Sequence, residues 1–162
     1  MVTGVAGLVC AALSADCAPV LIADPEAHVV AAAHAGWGGA LGGIVEAAVG
    51  AMMKLGAEPR RMICAIGPCI GPNSYEVGLE YLDRFVAADP ENDRFFRPGA
   101  TSAKRMFDLP GYVLSRVRAA GVPQAEWIGY DTCADEQFFS NRRALHRGES
   151  DYGRLLSAIM LR

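Results

Sequence analysis

Two residues, Cys17 and His34, combine side-chain chemistry with a setting that can use it. His34 closes the apolar run 29–33 and is followed by Gly36, Trp37, Gly38 and Gly39. A polar side chain at the end of a buried strand points into whatever cleft opens there. Glycines beside it let backbone approach a ligand and leave N–H groups free for an anion. A helix expected from about residue 41 turns its positive end to the same place. Cys17 lies in the polar break Ser14-Ala15-Asp16-Cys17 between two apolar runs. A thiol and an imidazole on neighbouring strand ends can hold one soft divalent ion or act as nucleophile and base. Their separation of 17 positions matches no zinc-finger pattern, so spacing alone leaves both readings open beside a plain core cysteine and a satisfied buried histidine.

A second group is Phe138-Phe139-Ser140-Asn141-Arg142-Arg143. Aromatic rings can sandwich a base, and guanidinium groups bind phosphate through paired N–H donors. The plainer reading is an aromatic anchor followed by a solvated basic pair. Cys69 sits in Gly67-Pro68-Cys69-Ile70-Gly71-Pro72, where turn formation by itself accounts for the glycines and prolines.

The elements that must position these groups follow from periodicity. Residues 9–13, 20–23 and 29–33 read as buried strands, with a turn at Asp24-Pro25. Leu41, Ile44, Val45, Ala48, Val49, Met52 and Met53 share one helical face, and Gly56 follows as a stop. Residues 62–66 and 125–129 read as strands, 77–88 and 109–120 as helices, and 89–105 as a long polar loop. The run 155–161 is a strand or a short helix. Strands and helices alternate only in part, which favours a single α+β domain over residues 1–162.

Composition narrows the class. Apolar residues make up 52% and charged residues 20%, as in a globular domain. A net charge of −3 lacks the basic excess of a non-specific nucleic-acid surface. No run approaches the ~20 apolar residues of a membrane span. Five cysteines without secreted-type spacing read as reduced thiols and a cytoplasmic setting. Oligomeric state is not legible.

Taken together, five collinear segments resemble the YfiH-like laccase-domain family, which comprises purine nucleoside phosphorylases. They are Ser14-Ala15-Asp16-Cys17-Ala18-Pro19-Val20-Leu21, His34-Ala35-Gly36-Trp37, Gly67-Pro68-Cys69-Ile70-Gly71-Pro72, Tyr75-Glu76-Val77-Gly78 and Phe138-Phe139-Ser140-Asn141-Arg142-Arg143. The resemblance implies an α+β fold with αββα layers and mixed sheets. It implies phosphorolysis of adenosine, inosine, guanosine and methylthioadenosine, with adenosine deamination as a second activity. It implies a metal ion, zinc or alternatively copper, held by Cys17, by His34 and by a histidine from an earlier Gln-Val-His-Gly-like segment. Purine nucleosides and phosphate are the expected partners, with Arg142, Arg143, Trp37 and Phe139 as their contacts. Two departures qualify this. Met1 aligns with the interior of family members, so the segment with the third ligand is not in these residues, and His28 and His146 are poor substitutes. Two ligands predict weaker zinc binding and impaired activity. Gly38 stands where the family usually carries arginine. Other readings are copper-dependent phenol oxidation, a metal-free Cys17–His34 hydrolase, and an inactive fragment that binds a partner.

Overall fold

The computed structural model describes residues 1–162. Ten strands and five helices follow one another as β1 (Val2–Thr3), β2 (Val9–Ser14), β3 (Ala18–Asp24), β4 (Val29–Ala35), α1 (Trp37–Leu41), α2 (Ile44–Met53), β5 (Ile63–Ile66), β6 (Glu76–Gly78), α3 (Leu79–Ala88), β7 (Phe96–Pro98), β8 (Lys104–Phe107), α4 (Leu109–Ala119), β9 (Gln124–Trp127), α5 (Asn141–Arg147) and β10 (Leu155–Met160). The fold is α+β, as expected.

A five-stranded sheet in the order β1-β4-β3-β5-β9 forms the centre. All its pairings are antiparallel except β5 with β9. Alternation along β4 divides its side chains between two cores. Val29, Ala31, Ala33 and Ala35 face α2 and α4, in a cluster with Val20, Ile22, Val45, Val49, Met52, Val113 and Val117. Val30 and Ala32 face the other way and pack with Cys10 beneath a ribbon formed by β2 and β10. The layers therefore run helices, central sheet, ribbon. Leu13 and Leu156 pair across the ribbon and stand exposed on its outer face.

α2 forms because Val45, Ala48, Val49 and Met52 recur at helical spacing and all are buried. The continuous helix expected from residue 41 is instead two helices. Gly43 takes φ 87°, a left-handed conformation that separates α1 from α2. Residues 89–105 also differ from expectation. A 3-10 turn, Pro90–Phe95, leads into β7, and β7 pairs with β8 in a small sheet completed by β6. The expected helix over 77–88 gives its first two residues to β6. Asp108 caps α4 by accepting from the Gly111 amide. No helix is long and apolar enough to cross a membrane.

Candidate functional site

The β3–β4 register brings the first two functional residues together. Ala18 pairs with Ala35 and Pro19 with His34, so the next position outward sets Cys17 opposite Gly36. Cross-strand partners point to the same face of a sheet, as do residues two apart on one strand. Cys17 and His34 therefore share a face as diagonal neighbours. The atoms agree: a β-carbon on Gly36 would lie 2.9 Å from the Cys17 Sγ and 3.8 Å from the His34 Nε2. Thiol and imidazole converge on the space that Gly36 leaves open.

The histidine is oriented from behind. Its Nδ1 lies 2.7 Å from the Leu13 carbonyl oxygen. A carbonyl can only accept, so Nδ1 carries the proton, and in the neutral ring Nε2 presents its lone pair toward Cys17. Burial pushes the Cys17 thiol up from its ordinary value, and the negative charge of Asp16 adds to this.

Cys17 also opens onto a cavity of about 360 Å³ whose wall includes Trp37, Tyr75, Tyr81, Asn141 and Arg142. Trp37 enters from the first turn of α1 and packs on Tyr81 of α3, ring centres 4.6 Å apart. Tyr75, just before β6, meets Tyr81 edge-on at 6.4 Å. Burial, then Tyr81, drives the Tyr75 hydroxyl far above its usual range, so it is a neutral group here. Arg142 lies with its guanidinium carbon 5.1 Å from the Tyr75 ring centre. Its Nη1 donates to the Glu76 carbonyl at 2.6 Å, and its other guanidinium donors have no protein partner. His34 borders a separate, mostly apolar groove that includes Met1, Ala11, Leu13 and Ile44.

Arg143 and Phe139, expected beside the other site residues, lie elsewhere. Arg143 directs its guanidinium into the loop before α5, where Nη1 donates to the carbonyls of Thr132 at 2.7 Å and Asp135 at 3.1 Å and Nη2 donates to that of Phe138. Neighbours on a helix differ by about 100° in direction, and Arg143 points to the 132–138 loop whereas Arg142 lines the cavity. Phe139 packs flat against Gly153, where a β-carbon would meet its ring at 2.5 Å, and it is 53% exposed. Cys69 is wholly buried and does not line the cavity. His28 occupies the turn at the far end of the β3–β4 hairpin, beyond the Asp24–Val29 pair, and cannot reach Cys17. His146 falls in the last turn of α5. No group of three His, Cys, Asp or Glu side chains is close enough to hold a metal ion.

Tyr75 and Tyr81 are aromatic wall residues that are not among the expected contacts. Tyr75 stands in the collinear segment Tyr75-Glu76-Val77-Gly78, so a signal was present. Tyr81 lay inside an apparently ordinary helix and gave none.

The family described as multi-copper polyphenol oxidoreductase laccase has a profile that matches residues 1–162. A protein named purine nucleoside phosphorylase from Rickettsia conorii is 37% identical over 156 residues, which cover 96% of this chain and 64% of that one. The Escherichia coli protein named purine nucleoside phosphorylase YfiH is 37% identical over 158 residues, covering 96% and 60%. The crystal structure of a Bacillus licheniformis hypothetical protein, YfiH, superposes with a TM-score of 0.89 at 31% identity, over 99% of this chain and 60% of that one. YlmD of Geobacillus stearothermophilus gives 0.87 at 34% identity, over 99% and 60%. The chain thus spans less than two thirds of the length of these relatives.

Proposed function

This chain belongs to the multi-copper polyphenol oxidoreductase laccase family, and we propose that it serves the phosphorolysis of purine nucleosides at a zinc centre to which Cys17 and His34 contribute. The observation that carries the reading is the convergence of the Cys17 Sγ and the His34 Nε2 on the space beside Gly36. The two donors fit zinc in kind, and they supply two of the four positions of a tetrahedral site. The backing of Nδ1 by the Leu13 carbonyl is the arrangement that metal-bound histidines use to fix their tautomer.

A bound zinc supplies Lewis-acid polarisation of an oxygen or a water of lowered pKa. The chain's own residues supply the rest. The free donors of Arg142 face the cavity and can hold phosphate by charge-assisted hydrogen bonds. Trp37, Tyr75 and Tyr81 give an aromatic wall against which a purine can stack. In phosphorolysis a phosphate oxygen bonds to C1′ of the ribose as the bond from C1′ to the purine nitrogen breaks. The base leaves with a proton, and ribose 1-phosphate is formed. Adenosine, inosine and guanosine fit this scheme, methylthioadenosine does so with its methylthio sugar released as the 1-phosphate, and adenosine deamination belongs to the same proposal, with a water oxygen bonding to C6 of the purine as ammonia leaves.

Copper-dependent phenol oxidation is less well supported by the donors. Several coppers need many imidazoles, and the chain has three histidines, of which His34 alone is at the site. The test is zinc binding by competition with a chromophoric chelator, together with hypoxanthine release from inosine with and without phosphate. Cys17→Ser and His34→Ala should each lose zinc binding and any phosphate-dependent release. Unchanged zinc binding in both variants, or release indifferent to phosphate, would overturn the reading.

A further inference from the structure

Asp16 is buried, with 8% of its surface exposed, and its backbone has φ 88°. Apart from His28, no other non-glycine residue has a positive φ. Aspartate tolerates that region better than most side chains, but the conformation still needs support from its surroundings. Three segments distant in sequence provide it. The Asp16 carbonyl accepts from the Ile70 amide at 2.9 Å. One carboxylate oxygen accepts from the Thr132 hydroxyl at 2.7 Å. The other accepts from the backbone amide of Arg142 at 2.6 Å.

These bonds reach the two sides of the cavity described above. Cys17 is the next residue along the chain, and Arg142 carries the guanidinium with free donors. α5, which holds Arg142, has only seven residues, too few to be stable as an isolated helix. Its own cap is the Ser140 hydroxyl, which accepts from the Arg143 amide and leaves the Arg142 amide to Asp16. Thr132 is fully buried, so without the carboxylate its hydroxyl loses a partner that water cannot readily replace.

We propose that Asp16 is a positioning residue whose carboxylate ties the Cys17 turn to the first turn of α5, and so sets the metal donor and the phosphate-binding guanidinium at a working distance. This rests on the reading of Cys17 and Arg142 given above. A carboxylate that only stabilised the fold would move melting temperature and leave ligand binding alone. One that positions the site must move binding when the fold is intact.

Asp16→Gly separates the two roles, because glycine accepts φ 88° without strain and removes only the side chain. Asp16→Asn is the conservative partner. Asparagine also tolerates the left-handed region, its oxygen can accept from the Arg142 amide, and its NH2 can donate to the Thr132 oxygen. Thr132→Val removes the hydroxyl bond and keeps the Arg142 bond. The readouts are zinc competition, inorganic phosphate binding by calorimetry and the amide spectrum, with Cys17→Ser and Arg142→Ala alongside.

Asp16→Gly should keep a folded spectrum, lose the downfield position of the Arg142 amide, and weaken phosphate binding by at least about tenfold. Asp16→Asn should recover most of that loss. Thr132→Val should lower the melting temperature and leave phosphate binding within about twofold. If Asp16→Gly binds zinc and phosphate as the unaltered protein does while Cys17→Ser and Arg142→Ala do not, Asp16 is not a positioning residue. If Asp16→Gly does not fold, Asp16→Asn carries the test: phosphate binding that follows its Arg142 amide, both kept or both lost, supports the proposal, and undiminished phosphate binding with that amide displaced overturns it. If Cys17→Ser and Arg142→Ala themselves bind both ligands normally, the underlying reading falls and the positioning role with it.

Discussion

Cys17 and Gly36 face each other across the open end of the β3–β4 hairpin, and a β-carbon on Gly36 would stand 2.9 Å from the Cys17 Sγ. Gly36 itself has φ −73° and ψ 167°, a conformation open to any residue. It is glycine for space, so the position can be altered without backbone strain.

Gly36→Ala should therefore fold normally and bind zinc at least about tenfold more weakly, because the new methyl group displaces the sulfur from the shared space. Chelator competition on the two proteins measures this, with melting temperature as the control. Equal zinc affinity would show that the Cys17 sulfur does not use the space beside Gly36.

Arg142 and Arg143 should part company on mutation. Arg142→Ala should raise the phosphate concentration needed for half-maximal binding or turnover by about tenfold or more. Its effect on stability should be small, since its side chain makes a single hydrogen bond, to the Glu76 carbonyl. Arg143→Ala should cost about 2 kcal/mol of stability, because partly buried carbonyls in the 132–138 loop lose their donor. Its phosphate dependence should stay unchanged. Urea denaturation and phosphate titration of both variants check the pair, and a reversed pattern would exchange their roles.

The contrast between these arginines shows what could be read in advance. Strands β2, β3 and β4 are apolar runs bounded by polar breaks, so the ends that hold Cys17 and His34 were legible. Their pairing across Gly36 needs the hairpin register, which the Asp24-Pro25 turn announces but does not specify. α5 has little apolar periodicity in its seven residues, and its cap is a single serine. With that helix unrecognised, adjacent arginines looked equivalent. β7 and β8 were missed because Pro98, Lys104 and Arg105 read as loop residues, whereas Phe96 and Phe107 anchor them by stacking at 4.7 Å. The break at Gly42-Gly43 was hidden by an apolar pattern that continues through it.

Gly43 offers a test of that break. With φ 87°, Gly43→Ala forces a β-carbon into the left-handed region and should cost about 1–2 kcal/mol of stability. Zinc competition should be unaffected, because the residue touches neither Cys17 nor His34. A stabilised Gly43→Ala protein, seen in thermal or urea unfolding, would mean that α1 and α2 join into one helix without penalty.

The last prediction concerns pH and the other end of the hairpin. The Asp24 side chain is fully buried. One oxygen accepts from the amides of Glu26 and Ala27, and the other from the Glu58 amide and the Arg61 guanidinium. Burial by itself would raise this carboxyl, but the hydrogen bonds from Glu58, Ala27 and Arg61 and the charge of Arg61 outweigh it and hold it at about 2. Its unfolded value is about 3.9. Because the folded state has the lower value, the group's stabilisation is fully present above about pH 4 and is lost as pH falls through about 2. Urea midpoints measured from pH 6 to pH 2 should fall more steeply for the unaltered protein than for Asp24→Asn, which has no carboxylate to protonate. At pH 7 Asp24→Asn should be the less stable of the two, yet bind zinc equally well, since Cys17 and His34 lie at the opposite end of β3 and β4. Parallel pH profiles would show that Asp24 does not carry the acid sensitivity of the fold.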